Sequence, residues 1–255
     1  MQSNVKKIFD ILEKSNTKKS EIVVTCKIND IEFSVFNKDI IGSLVQSWLE
    51  ELLNKNKISW SDKGTQKYPD FILENNQYLE VKTYNKDATP AFDIANFKSL
   101  IDDLVINPKR LNSDYIIFNY KFEENIKEDN KEDNNKNYSI PNELIKKNSK
   151  TETLIILNDY WIKKIWEITT IPKGNKRNKI SAQVKQGTIV NLRPYNFVIN
   201  PKGCIKTRLQ FVEQLKKTID EFSDQLIKEN TMYKDSSEWF SLVKSKYKEQ
   251  TNEEL

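Results

Sequence analysis

Asp70, Glu80 and Lys82 bring two carboxylates and one ammonium group together in a short stretch of the sequence. Carboxylate oxygens suit a Mg²⁺ ion, and a cation held in this way can activate a water molecule for attack. Residues two apart on a β-strand project to the same face, so Glu80 and Lys82 would lie side by side. The spacing therefore predicts a metal-dependent hydrolytic site. The alternative is a surface hairpin whose charged side chains are merely solvated.

A tight β-hairpin over residues 69–84 is the element that would position these side chains. Two short apolar runs, 71–73 and 78–81, flank the turn-forming pair Asn75-Asn76. This pattern is typical of two antiparallel strands joined by a tight turn. Because Asp70 begins the first strand, the hairpin can bring it alongside the two charged residues of the second. We expect the rest of the chain to be organised around this hairpin.

The composition excludes several kinds of catalysis. The 255-residue sequence contains no histidine, so Ser-His and Cys-His triads and histidine-based zinc sites are ruled out. Its two cysteines, Cys26 and Cys204, are far apart, which favours a reducing cytoplasm over a disulfide scaffold. We find neither an apolar run of membrane-spanning length nor the apolar core of a signal peptide. Catalysis must therefore use carboxylates, lysine, tyrosine or a metal.

The pattern of apolar residues predicts a single mixed α/β domain over residues 1–255, with a central mixed sheet flanked by helices. A stretch at about 123–150, rich in Glu, Asp, Lys and Asn, is interpreted as a mobile polar insertion. Residues 204–250 are expected to form a helical C-terminal extension. Besides the hairpin, the expected strands are 21–28, 31–36, 114–120, 153–157, 181–184 and 188–193. The expected helices are 5–12, 40–54 (capped by Asp39), 93–104 (beginning near Asp93), 160–168, 205–226 and 238–247.

A basic stretch runs from Lys163 to Arg208, where Glu167 is the only acidic residue. A concentrated cationic patch with interspersed Asn and Gln is typical of a nucleic-acid-binding surface. A solvated basic face is the alternative. The residues of this stretch that we expect to contact DNA are Lys173, Lys176, Arg177, Gln183, Lys185 and Arg193.

The order Pro-Asp70, then Glu80-Val-Lys82, resembles the PD-(D/E)xK nuclease motif. Together with the segments Phe92 to Phe97, Lys163 to Ile168 and Val190 to Pro194, it looks like a type II restriction endonuclease, similar to the group cutting GGNNCC. The resemblance covers about residues 42–194, although only the central motif is specific.

This resemblance implies a homodimer that cleaves double-stranded DNA with Mg²⁺ and is accompanied by a partner methyltransferase. Asp70, Glu80 and the Val81 carbonyl would bind the metal, while Lys82 would orient or deprotonate the attacking water. In many such enzymes the segment after the lysine lies against DNA. The candidate contacts there are Lys86, Thr89, Asn96 and Lys98.

Enzymes with this motif commonly carry an acidic residue on a preceding helix, near the metal. The related Gly-x-x-x-Glu pattern would place it at position 46, where this chain has Gln46. Either Gln46 acts in the second shell, or Glu50 or Glu51 reaches the site from the next turn. An ordinary exposed position for these charges is equally compatible with the sequence.

Two other functions share some of these features. A repair or junction nuclease would carry the same motif but recognise DNA structure, and the long regions outside the catalytic core favour a sequence reader instead. A non-catalytic DNA-binding module would keep the basic stretch. The presence of Asp70, Glu80 and Lys82 together argues against that second alternative, because a decayed site would tend to lose one of them.

Overall fold

The structure, a computed structural model, describes residues 4–33, 38–64, 67–86, 91–123, 152–168, 189–193, 205, 207–228 and 235–255. The strands are β1 (Ser20–Ile28), β2 (Ile31–Phe33), β3 (Trp60–Ser61), β4 (Phe71–Leu73), β5 (Gln77–Asn85), β6 (Ala91–Asn96), β7 (Asp114–Glu123), β8 (Glu152–Lys164) and β9 (Ile189–Arg193). The helices are α1 (Asn4–Lys14), α2 (Lys38–Lys55), α3 (Phe97–Ile106), α4 (Ile165–Ile168), α5 (Arg208–Glu221), α6 (Ser223–Lys228) and α7 (Ser236–Thr251).

Seven strands form one mixed sheet in the order β2-β1-β8-β7-β5-β4-β3, and β6 pairs with β9 in a separate two-stranded sheet. The central strand β5 is antiparallel to β4 and parallel to β7. Asn75 and Asn76 in the β4–β5 turn have positive φ angles of 61° and 55°, a conformation that asparagine tolerates better than most residues. The predicted central hairpin and the predicted mixed α/β fold are thus confirmed.

Alternation along β5 and β7 gives the sheet two different faces. On the face that we call the α2 face, Leu79, Val81, Ile116 and Phe118 are buried with the apolar residues of α1 and α2. On the opposite face, which we call the α3 face, Tyr84, Tyr115 and Ile117 are buried with residues of α3, α5 and α7. Glu80 lies between Leu79 and Val81 and so belongs to the α3 face.

The C-terminal helices are joined to α3 by both packing and hydrogen bonding. Trp239 of α7 is fully buried, and its indole Nε1 donates a hydrogen bond to the Ile101 carbonyl of α3 at 2.9 Å. Leu215 and Ile219 of α5 are buried in the same cluster. The helices of residues 208–251 therefore complete the core on the α3 face.

The predicted helix from Phe92, beginning near Asp93, is wrong in its first part. Residues 91–96 form strand β6, and the helix begins at Phe97. Asn96 is its N-cap, because the side-chain oxygen accepts a hydrogen bond from the Ser99 amide at 3.1 Å. Pairing with β9 explains why the apolar residues before the cap are extended.

The predicted helix over Tyr160–Ile168 is also wrong for most of its length. Strand β8 continues to Lys164, and only residues 165–168 are helical. Tyr160 is buried on the α2 face and Trp161 on the α3 face, so both aromatic rings are covered when the segment is extended. Pairing with β7 through Lys164 stabilises this extended arrangement over the helical one.

Two further boundaries differ from the predictions, and one predicted strand is present. Asp39 lies within the first turn of α2 instead of capping it, since the helix begins at Lys38. The apolar stripe at 205–226 is divided between α5 and α6, which meet at Phe222. The predicted strand at 188–193 is present as β9 and pairs in parallel with β6.

Three predicted features lie outside the described residues in whole or in part, namely most of the polar insertion at 123–150, the strand at 181–184, and residues 34–36 at the end of the strand predicted at 31–36. Among the described residues, no helix has the length and apolar character needed to cross a membrane.

Candidate active site

The β4–β5 hairpin brings Asp70 and Glu80 into direct contact. The Asp70 backbone amide donates a hydrogen bond to Glu80 Oε2 at 3.2 Å, and the Val81 amide donates to Asp70 Oδ2 at 2.7 Å. Lys82 Nζ lies 2.6 Å from Glu80 Oε1. All three predicted side chains therefore meet at one place, where Asp70 ends the pairing of β4 with β5.

The electrostatics of this site disfavour two negative charges. The pKa of the Asp70 carboxyl is raised to about 6, mainly by burial and next by the nearby charge of Glu80. The Val81 amide and the Lys82 ammonium act in the opposite direction, because each favours the ionised carboxylate. Glu80 itself is only 7% exposed. Two close, poorly solvated carboxylates are the kind of site that gains most from a bound cation.

Helix α2 approaches the site from the α2 face. A Cβ atom at Gly42 would lie 3.7 Å from Thr83 Oγ1, so the helix passes close to β5. The Glu50 charge also raises the pKa of Asp70, which places Glu50 within electrostatic reach of the site. Gln46 is half-buried on the same helix, whereas Glu51 is exposed. Of the three residues considered for the helix position, Glu50 is shown to act electrostatically on Asp70.

The donor set fits a hard cation that keeps part of its water shell. Among the described residues, no group of three or more acidic, cysteine or histidine side chains is arranged to hold a metal. Asp70 and Glu80 alone would supply the charged oxygens, with the Val81 backbone carbonyl available beside them on β5. Mg²⁺ is commonly bound through one or two carboxylates while it retains several waters. The residues present therefore fit such an ion.

The predicted DNA-contacting residues fall into two groups. Asn96 is the cap of α3, Lys98 is partly buried in the first turn of that helix, and the Lys86 amide donates to the Tyr120 carbonyl at 2.6 Å. Arg193 ends β9, where it is paired in register with Asn96. The remaining candidates lie outside the described residues: Thr89, Lys173, Lys176, Arg177, Gln183 and Lys185.

A buried polar cluster behind the carboxylates was missed by the sequence reasoning. It contains Tyr68, Arg110, Ser113 and Tyr115, and Arg110 is only 5% exposed. Tyr68 directly precedes the Pro-Asp70 pair, which was a signal that could have drawn attention to it. Nothing in the local pattern around Arg110 distinguishes it from the many exposed basic residues of the chain.

The sequence is similar to that of a known protein family over nearly its whole length. A sequence model of the NgoBV restriction endonuclease family matches residues 2–137 and 130–255. The chain belongs to this family. The match spans both the hairpin and the C-terminal helices, so membership does not depend on the short motif alone.

Curated relatives and a solved structure agree with the assignment. The chain is 30% identical over 203 residues to the type II restriction enzyme NlaIV of Neisseria lactamica, covering 75% of this chain and 70% of that protein. It is 32% identical over 152 residues to the type II restriction enzyme NgoBV of Neisseria gonorrhoeae, covering 58% and 71%.

The solved structure of the NlaIV restriction endonuclease aligns with a TM-score of 0.67 and 22% identity, over 100% of this chain and 92% of that one. This likeness supports the fold. The family model and the curated relatives confirm the predicted resemblance to a type II restriction endonuclease.

Proposed function

We propose that this type II restriction endonuclease hydrolyses phosphodiester bonds of double-stranded DNA with Mg²⁺ held by Asp70, Glu80 and the Val81 carbonyl. The observation that carries the proposal is the direct contact between the Asp70 amide and Glu80 Oε2, with Lys82 Nζ 2.6 Å from Glu80 Oε1. The ion, when bound, would polarise the phosphate and lower the pKa of a water molecule.

The two carboxylates accept hydrogen bonds from different donors. Asp70 is oriented by the Val81 amide, which donates to one of its oxygens, while Glu80 receives the Asp70 amide and the Lys82 ammonium. Each carboxylate therefore keeps a hydrogen bond that fixes its direction. A cation bound by both carboxylates would favour the ionised form of Asp70, whose pKa is raised by burial and by the charge of Glu80.

Lys82 would act on the attacking water. Its side chain is 21% exposed, and its ammonium group contacts Glu80. In that position it can orient a water molecule by hydrogen bonding and stabilise the negative charge that develops on the phosphate. Glu50 would assist from α2, either through a water molecule or by its charge.

For recognition, the parallel pairing of β6 with β9 supports one shared DNA surface. The segment after Lys82 and the basic segment before Arg193 were predicted separately, and the pairing brings their ends side by side at Asn96 and Arg193. Basic side chains would contact phosphates or guanine edges, while Asn and Gln side chains would contact bases or backbone oxygens.

A symmetric DNA target requires a two-fold arrangement of the protein, because half-sites mirror subunits. We therefore propose a homodimer that acts in the cytoplasm, with a cognate methyltransferase protecting the host target. The resemblance stated above favours GGNNCC as that target. A repair or junction nuclease would instead cut according to DNA structure, so mapping plasmid cleavage at nucleotide resolution separates the two.

The experiment that tests the mechanism is Lys82→Ala, assayed for cleavage in Mg²⁺ and for DNA binding in Ca²⁺. We expect a loss of cleavage of about 10²–10⁴-fold, because an acid–base and charge-stabilising group is removed. DNA affinity in Ca²⁺ should stay near that of the parent, since the carboxylates remain.

The matched control is Lys14→Ala, which removes an exposed lysine at the end of α1. It should leave both cleavage and binding unchanged. Cleavage by the Lys82 variant at the parental rate would remove this lysine from the mechanism.

Recognition is tested by alanine variants titrated against specific and random duplexes at several salt concentrations. Loss of a phosphate contact should weaken binding to all duplexes and reduce the salt slope by about one. Loss of a base contact should cost about 1–3 kcal/mol on the specific duplex only. The variants are Lys176→Ala, Arg177→Ala, Gln183→Ala and Lys185→Ala. If all four bind both duplexes like the parent protein, we would assign DNA recognition to residues 86–98 instead.

A further inference from the structure

Arg110 is a buried cation that none of the proposed catalytic steps uses. It lies in the 3₁₀ turn Pro108–Asn112 after α3 and is only 5% exposed. Its guanidinium carbon is 3.7 Å from the centre of the Tyr68 ring, and its Nη1 is 3.0 Å from Asp103 Oδ2. The guanidinium plane is therefore held between an aromatic ring and a carboxylate.

Tyr68 connects this guanidinium to the backbone that carries Asp70. Its hydroxyl makes a short hydrogen bond with Ser113 Oγ, and its ring packs edge-on against Tyr78 at 6.1 Å between centroids. Ser113 is 1% exposed and immediately precedes β7. Because only Pro69 separates Tyr68 from Asp70, the position of the Tyr68 ring restricts where the Asp70 carboxylate can lie.

The same cluster also reaches the strand position of Glu80. Tyr115 of β7 is paired in register with Glu80 of β5, on the same face of the sheet. It is fully buried, and the charges of Arg110 and Glu80 both act on its hydroxyl. Arg110 thus interacts with both Tyr68, which is close to Asp70 in sequence, and Tyr115, which is paired with Glu80.

Stability alone gives a poor reason for an arginine at this place. Replacing a buried ion pair by apolar groups of similar volume is often neutral or stabilising, because burying charges carries a large desolvation penalty.

We propose that Arg110 is a positioning residue, which stacks on Tyr68 and thereby fixes Asp70 relative to Glu80 for metal binding. The inference rests on the proposed function, since it concerns the same two carboxylates. Arg110 contacts neither DNA nor the reacting atoms in this role. Its loss should loosen the metal site while leaving DNA affinity unchanged.

The test compares Arg110→Met with Arg208→Met. Arg208 is less buried, but its guanidinium also lies over a tyrosine ring, that of Tyr247 at 5.0 Å, and pairs with Glu253 at 2.8 Å. It also donates a hydrogen bond to Asn112 of the turn that carries Arg110, so its loss tests loosening of that turn without removal of the Tyr68 contact. Calorimetric titration of Ca²⁺ into the protein–DNA complex measures metal affinity without cleavage. The Mg²⁺ concentration for half-maximal cleavage is measured in parallel.

We expect Arg110→Met to weaken Ca²⁺ binding and raise the Mg²⁺ midpoint by about 10–100-fold, the usual effect of losing a group that orients metal ligands. Arg208→Met should change neither quantity. If Arg110→Met fails to fold, Arg110→Lys keeps the buried charge but loses the planar stacking group, and it should shift both quantities in the same direction.

Parental metal affinity in whichever Arg110 variant folds would overturn the inference. A shift of equal size in Arg208→Met would also overturn it, because the effect would then reflect general loosening of the fold. Failure of the proposed function is distinguishable from either result: wild-type protein would then cleave without a divalent cation, or Lys82→Ala would cleave normally.

Discussion

The two faces of the central sheet share the same strands but differ in what they bury. The α2 face is lined by apolar side chains, including Val81 and Phe118. The α3 face buries Glu80, Arg110 and Ser113 beside its apolar core. The comparison shows that one face buries an apolar core, while the other also buries polar groups, among them the proposed metal ligand Glu80.

Strand β5 contributes to both faces within consecutive residues. The Val81 side chain packs in the apolar cluster of the α2 face, while its backbone amide donates a hydrogen bond to Asp70 Oδ2 at 2.7 Å. Glu80 and Lys82, on either side of Val81, contact each other on the opposite face. Burial of one apolar side chain therefore fixes the position of the charged groups next to it in sequence.

The largest expected effect follows from removing a charged group at the site. Asp70→Ala should reduce cleavage by about 10³-fold or more, since a metal ligand supplies several kcal/mol and each 1.4 kcal/mol is a factor of ten. Plasmid cleavage in Mg²⁺ measures the loss, with Glu74→Ala on the exposed turn of the same hairpin as the control. Equal activity of the two variants would place the chemistry elsewhere.

On the α2 face, a substitution should affect stability instead. Phe118 is fully buried against Trp48 and Tyr160. Phe118→Ala should lower the free energy of unfolding by about 3–5 kcal/mol, because it leaves a cavity in the core. Urea unfolding measures this loss.

Under conditions where the Phe118 variant is folded, its Mg²⁺ midpoint for cleavage should match that of the parent. A large change in that midpoint without a loss of stability would contradict the division of roles between the two faces.

A third prediction concerns the energetic cost of the site itself. Because the pKa of Asp70 is raised to about 6 in the folded protein, its ionisation destabilises the metal-free fold as pH rises from about 4 through 6. Asp70→Asn should therefore stabilise the metal-free protein, by no more than about 3 kcal/mol above pH 6, since each pKa unit is worth about 1.4 kcal/mol and partial solvation reduces it. The gain should disappear near pH 4.

Thermal unfolding in EDTA across this pH range measures the effect. Asp62→Asn, which replaces an exposed carboxylate in the preceding loop, should show no such pH-dependent gain. A stability difference for Asp70→Asn that is constant with pH would show that the Asp70 charge is not the cause.

The smallest effect is expected at the start of α3. Asn96→Ala removes the cap of that helix and should cost about 1 kcal/mol of stability, measured by urea unfolding. If Asn96 also contacts DNA, the variant should lose affinity for the specific duplex in addition. An unchanged stability would contradict the capping role.

The sequence predicted those elements whose signal is local. The β4–β5 hairpin follows from apolar runs around Asn75-Asn76, and the buried run at 114–120 is strand β7. The proximity of Asp70, Glu80 and Lys82 follows from the hairpin, because strand alternation and antiparallel pairing leave few other arrangements.

The sequence failed where long-range pairing determines the structure. At 160–164 the apolar pattern suited a helix, yet pairing with β7 keeps the segment extended and covers one ring on each face. Strand β6 likewise depends on a partner almost a hundred positions away at β9, since Asn96 is paired with Arg193. Arg110 joins the site through tertiary contacts alone, so no spacing rule could have found it.

The most direct test of the central claim is to locate the metal in a protein–DNA complex. Crystals grown with Mn²⁺ and a target duplex, measured at the manganese absorption edge, should show one anomalous peak within bonding distance of Asp70, Glu80 and the Val81 carbonyl. The Asp70→Asn complex should lack that peak. A peak bound by other residues, or one that persists unchanged in the variant, would contradict the assignment of this hairpin as the catalytic metal site.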